Sequence, residues 1–89
     1  MQDEDAILRR LKTVAQEQLN LTPDQVAAIQ PESPLVETLR LDSLGQVVLV
    51  TAVETDFGYT FELEEWRRLE TVEDLVKMIA ARSAEEHGA

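Results

Sequence analysis

Cysteine is absent from this 89-residue chain. That absence excludes disulfide frameworks, thiolate metal sites and a cysteine nucleophile, and it suits a reducing compartment. Histidine occurs once, as His87 close to the chain end, so imidazole is not available as a base or ligand within the fold. The three glycines form no glycine-rich phosphate loop. These gaps leave no set of groups from which a catalytic constellation could be built, and no enzyme is expected. Cations are scarce as well. Eight Lys and Arg face eighteen Asp and Glu, for a formal charge of −10. Nucleic acid is a poor partner for such a chain, because phosphate contacts need Lys and Arg. Anionic membrane surfaces are disfavoured for the same reason. No apolar run is long enough to cross a bilayer. The acidic start, Met1 to Asp5, is unlike a secretory signal. These readings describe a cytoplasmic monomer that meets partner proteins through their basic surfaces. Glu62, Glu64 and Glu65 lack the spacing of a calcium loop and read as a solvated face, so no metal is expected.

One domain is the natural reading of residues 1–89, with 83–89 as a polar, disordered tail. Leu8, Leu11, Ala15 and Leu19 recur at helical spacing, with Ile7 and Val14 beside them, and predict an amphipathic helix over 4–19. Arg9, Arg10 and Lys12 take its other side. Pro23, Pro31 and Pro34 break up residues 20–41 into a long connection. One short helical turn is expected near Val26, and Leu35, Val36 and Leu39 are expected to pin the connection to the core. Loops of this length are usually functional. Residues 43–57 are ambiguous on pattern alone. The valines favour a strand, Tyr59, Phe61 and Leu63 alternate as a second strand would, and a helix and a β-hairpin both fit. Residues 62–69 suggest a short helix. Residues 72–82 are a clear one, with Thr71 and Asp74 as a capping box and Arg82 near its negative end.

Asp42-Ser43-Leu44 follows the proline-containing connection and opens the longest apolar run. A serine at a helix start is presented to solvent beside unpaired backbone N–H groups, where an attached phosphate would be stabilised. The stretch Leu35 to Leu44, followed by Val47, Leu49, Val50, Val53, Glu54, Phe57-Gly58, the acidic Glu62 to Glu65 and Thr71 to Leu75, resembles the acyl carrier protein family and its peptidyl-carrier relatives over roughly residues 5 to 82.

The resemblance implies an all-α fold, a small four-helix bundle with three longer helices, a short third one and a long loop between the first two. It makes 43–57 a helix, capped by Asp42 and stopped by Gly58. It implies 4'-phosphopantetheine on Ser43, attached by a phosphopantetheinyl transferase (a holo-carrier synthase), with Asp42 helping that enzyme orient the hydroxyl and Leu44 packing beneath the arm and against partners. Acyl-loading, acyl-transfer or condensing enzymes are the further partners. The arm would hold acyl, polyketide or aminoacyl cargo as a thioester, supplying the thiol that the chain lacks.

Four positions depart from the family. Val48, Gly45 and Gln46 stand where acidic or polar residues are common, which points away from the enzymes of ordinary fatty-acid synthesis. A helix apolar nearly all round has an exposed sticky face, so Val47 and Val48 are expected to be partly exposed and to contact partners, with Glu54 further along the same helix. Arg40 replaces a common glycine. Arginine resists a left-handed backbone, so the loop is expected to turn differently there, with Arg40 solvated or reaching the arm's phosphate. A cavity near Val53 and Ile79 is expected to receive cargo. Trp66, next to Arg67 and Arg68, reads as a cap on the core or as an interface residue. The competing function is a non-covalent helical interaction module, which would have no use for Ser43.

Overall fold

The computed structural model describes residues 3–88. Six α-helices make up its secondary structure: α1 (Glu4–Leu19), α2 (Pro23–Ala27), α3 (Leu35–Leu39), α4 (Ser43–Phe57), α5 (Leu63–Arg67) and α6 (Val72–Gly88). Among the described residues there is no strand beyond an isolated bridge between Pro34 and Thr71. The three long helices α1, α4 and α6 form the bundle, with α1 packed against both of the others.

Local chemistry sets most helix ends. Asp3 accepts a hydrogen bond from the Ala6 N–H at 2.7 Å and starts α1. Asn20 ends it in the left-handed conformation, which a short polar side chain tolerates. Thr22 and Gln25 form a reciprocal capping box with Pro23 in the first turn, and this nucleates the short α2. Thr71 and Asp74 cap α6 in the same way, and the Asp74 carboxylate also accepts from the Glu70 N–H.

The core is made by residues from every part of the chain. Ile7, Leu11 and Ala15 of α1 meet Leu49 and Val53 of α4 and Val72, Leu75 and Ile79 of α6, all buried. On α1 the buried line runs through Ile7 and Val14, while Leu8 and Leu19 lie at its rim, a rotation of the expected stripe. Each such side chain contributes about 1.5–3 kcal/mol by leaving water. That is enough to override the strand preference of the α4 valines, which spans only about 1 kcal/mol. The alternation at Tyr59 and Phe61 is real but serves no strand. This segment is held to α4 by the Glu54 carboxylate, which accepts from the Phe61 N–H at 2.8 Å.

The long connection is pinned by backbone as well as by apolar burial. Leu35 N–H donates to the Glu70 carbonyl at 2.9 Å, and Val72 N–H to the Ser33 carbonyl at 2.9 Å. Leu35 and Leu39 are buried as expected, but Val36 is 45% exposed, because a single helical turn can turn only one face inward.

The structure also departs from several expectations. The connection holds a second short helix, α3, that the prolines concealed. The backbone of 83–88, expected as a disordered tail, continues α6 to Gly88, since the segment lacks proline and is rich in helix formers. Arg82 therefore does not sit at a helix end. Its guanidinium instead donates to the Thr60 carbonyl and lies over the Phe61 ring, 5.6 Å from the centroid. Arg10, on the polar side of α1, pairs with Asp56 and ties α1 to the last turn of α4.

Candidate functional site

Ser43 is the first residue of α4 and is exposed. Asp42 precedes it with an extended backbone, and its Oδ1 accepts from the Gly45 N–H at 2.7 Å. This cap fixes where the helix begins and therefore where Ser43 stands. A Cβ at Gly45 would lie 3.1 Å from that same oxygen, so glycine leaves the cap uncrowded. The first turn of α4 contains no acidic side chain. An anion joined to Ser43 would meet the partial positive charge of the helix start without a competing carboxylate from that turn.

The turn that delivers the chain to Asp42 overturns the expectation for Arg40. Its backbone is left-handed, with φ 56 and ψ 47. For a residue with a Cβ this costs about 1–2 kcal/mol. The cost is met because the turn closes α3 with a hydrogen bond from the Leu41 N–H to the Val36 carbonyl at 2.9 Å and places Leu41 in the core at 6% exposure. The glycine-like turn survives with an arginine in it.

Around Ser43 lies an apolar surface. Leu44 is 72% exposed and Val47 62% exposed, and Val36 extends the patch from α3. Val48, also expected to be partly exposed, is half-buried on the side of α4 that faces Gln18 of α1. Leu44 is not a core residue. Glu54, named as a partner contact, spends one carboxylate oxygen on the Phe61 N–H described above.

Beside this patch a groove of about 330 Å³ runs between α4, α3 and α5. Ser43 lies on its edge, Leu41, Val47 and Val50 form one wall, and Trp66 and Arg67 form the other. Val53 and Ile79, expected to flank a cargo cavity, are fully buried in the core, and neither lines this groove. Trp66 does lie against the core, its ring edge-on to Phe61 at 6.3 Å, but it is also part of the groove. Thr51 was not singled out in the sequence. No motif marks it, and only the approach of α5 to α4 brings it to one opening with Trp66 and Arg67.

Among the described residues no helix is long and apolar enough to cross a membrane, and no cluster of His, Cys, Asp and Glu could hold a metal. The exposed serine, the anion-favouring helix start and the adjoining groove together fit a covalently attached phosphate-linked arm.

Comparison with known proteins agrees. A sequence profile described as a phosphopantetheine attachment site matches residues 9–79. An acyl carrier protein of Thermosynechococcus vestitus is 35% identical over 77 residues, covering 86% of this chain and 91% of the relative. One from Wolinella succinogenes is 42% identical over 74 residues, covering 83% of this chain and 93% of the relative. The solution structure of a candidate acyl carrier protein from Anaplasma phagocytophilum superposes with a TM-score of 0.79 at 26% identity, over 93% of this chain and 94% of the other. The chain belongs to the acyl carrier protein family, and it is a carrier dependent on covalently attached 4'-phosphopantetheine rather than a catalyst.

Proposed function

We propose that Ser43 is the residue that bears the arm. The observation that carries this reading is an exposed hydroxyl at the first position of α4, held there by the Asp42 cap within the matched region. The transferase would direct the Ser43 oxygen onto the pantetheine-bearing phosphorus of coenzyme A. A P–O bond to serine forms, the pyrophosphate linkage breaks, and adenosine 3',5'-bisphosphate leaves. When bound, the arm supplies a terminal thiol on which acyl cargo is carried as a thioester. This chain's own contribution is positional. Asp42 holds the helix start, the α4 amides favour the phosphodiester, and the groove offers apolar shelter beside it.

Recognition by the transferase and by acyl-processing enzymes would combine two ranges of force. The net charge of −10 draws basic partner surfaces from a distance and speeds encounter. At contact, Leu44 and Val47 provide apolar area, because α4 carries no charge between Ser43 and Val53. Arg40 and the half-buried Val48 border this surface. An acidic chain without cysteine suits work in the cytoplasm.

Incubation with coenzyme A, magnesium and a broad-specificity transferase, read by intact mass, tests the proposal. The wild-type chain gains the mass of one arm and Ser43→Ala gains none. Equal gain by both variants, or no gain by the wild type, rejects it. Val47→Asp lowers kcat/KM for loading about tenfold, the equivalent of losing one buried valine contact.

A further inference from the structure

Arg40 is an unusual residue for its position. Among the described residues only Asn20 and Arg40 take a positive φ without being glycine. Asparagine tolerates that conformation and arginine does not. The Arg40 side chain is exposed, and its guanidinium makes no ion pair or hydrogen bond among the described residues. Nothing inside the fold therefore accounts for this side chain at a strained position. Such residues concentrate where function uses the side chain.

Arg40 opens onto a cleft of about 370 Å³ between the end of α1, the turn before α4 and the start of α4. From α4 the cleft takes Leu44, Gly45 and Val48, whereas the groove takes Ser43, Val47 and Val50, so the two openings border different faces of the helix. Their chemistry differs as well. The groove is mainly apolar. The cleft is lined by the carboxamides of Gln18, Asn20 and Gln25, which both donate and accept. Those of Gln18 and Asn20 have no hydrogen bond among the described residues, and Gln25 accepts at Oε1 from the Thr22 N–H. A phosphopantetheine arm carries amide groups and a hydroxyl along its length, and each needs a hydrogen-bond partner when it leaves water. The cleft can supply those partners.

Charge decides how the phosphate could stand here. The Asp42 carboxylate also lines the cleft and would repel a phosphodiester. Arg40 is the one cation in the lining. Its carbonyl lies 3.9 Å from the place a Cβ would take on Gly45, so the turn that bears it rests against the first turn of α4. A guanidinium forms short, charge-assisted hydrogen bonds with phosphate oxygens.

We propose that this cleft is the resting site of the unacylated arm. Arg40 donates to the phosphodiester on Ser43 and turns the arm away from the groove, and Gln18, Asn20 and Gln25 meet its amides and hydroxyl. The proposal rests on the attachment of the arm to Ser43. It gives the strained arginine a contact that exists only once the arm is present.

The test uses the full chain labelled with ¹⁵N and coenzyme A labelled with ¹⁵N in its pantetheine amides. The transferase joins them, and intact mass verifies conversion. Unmodified and arm-bearing forms of the wild type, Arg40→Gln and Arg40→Gly are compared by ¹H–¹⁵N spectroscopy. In the wild type the arm should shift the side-chain resonances of Gln18, Asn20, Gln25 and Arg40 and leave the Val50 amide and the Trp66 indole in place. The arm's amide protons should exchange with solvent about tenfold faster in either variant than in the wild type, the loss of one charge-assisted hydrogen bond. Arg40→Gly relieves the strained turn, so its loss of protection cannot be a folding defect. Shifts at Val50 and Trp66 in place of the cleft residues put the arm in the groove and overturn the proposal. Shifts at neither opening overturn it as well, and equal exchange in all three proteins removes Arg40 as the anchor. A wild-type chain that gains no mass rejects the Ser43 assignment instead, and the two failures are thereby told apart.

Discussion

Replacement of Arg40 by glycine should stabilise the protein while removing a side chain from the turn that leads to Ser43. The perturbation is confined to one backbone position. Arg40 holds φ 56 and ψ 47, where a Cβ costs about 1–2 kcal/mol relative to glycine. Its side chain is exposed, so little packing is lost. Against the gain stands the greater freedom of glycine in the unfolded chain, about 0.4–1 kcal/mol. The net expectation is a gain of about 0.5–1 kcal/mol, which for a domain of this size raises Tm by about 3–6 °C. Arg40→Ala keeps the left-handed strain and removes the same charge, so it should stay within about 0.5 kcal/mol of the wild type. Thermal and urea unfolding of the three proteins provides the measurement, with pantetheinylation of each as a check that the Ser43 region is intact. If Arg40→Gly melts at or below Arg40→Ala, the turn is not strained as described and the reasoning fails. If both variants gain equally, the effect belongs to charge and not to backbone.

Other expectations follow from the same contacts. Asp42→Ala removes the cap of α4 and should cost about 1 kcal/mol, lowering the urea midpoint with an unchanged slope; an unaltered midpoint would show that the helix start does not depend on it. The backbone N–H groups of Glu70 and Thr71 hold the Asp74 carboxyl below its usual range. Its contribution is therefore complete above the unfolded-state carboxylate pKa and disappears as pH falls through the lower folded-state value. The gap in Tm between wild type and Asp74→Asn should be constant from neutral pH down to about pH 5 and should close in stronger acid; a gap that widens in acid would contradict the assignment.

The positions of α1 and of the α6 capping box were legible in the sequence because each depends on residues within a few positions of one another. The helical period of α1 and the Thr71–Asp74 reciprocity are both short-range facts. The α4 valines were not legible in this way. Their intrinsic preference and the alternation at Tyr59 and Phe61 pointed to a hairpin as readily as to a helix, and only resemblance to a family tipped the reading. The structure supplies the physical reason, since Leu49 and Val53 find their burial against α1 and the Phe61 N–H finds a carboxylate instead of a partner strand.

Composition and local order alone determined that this chain is small, acidic, free of cysteine and carries a serine behind a candidate helix cap. Tertiary structure decided what surrounds that serine. Burial of Leu41 forces an arginine into a glycine's conformation, one turn of α3 leaves Val36 outside, and the approach of α5 to α4 opens a groove at Trp66 instead of at Val53. None of these can be read along the chain, because each is set by which distant apolar surfaces exclude water together, and local preferences of about 1 kcal/mol yield to that larger sum.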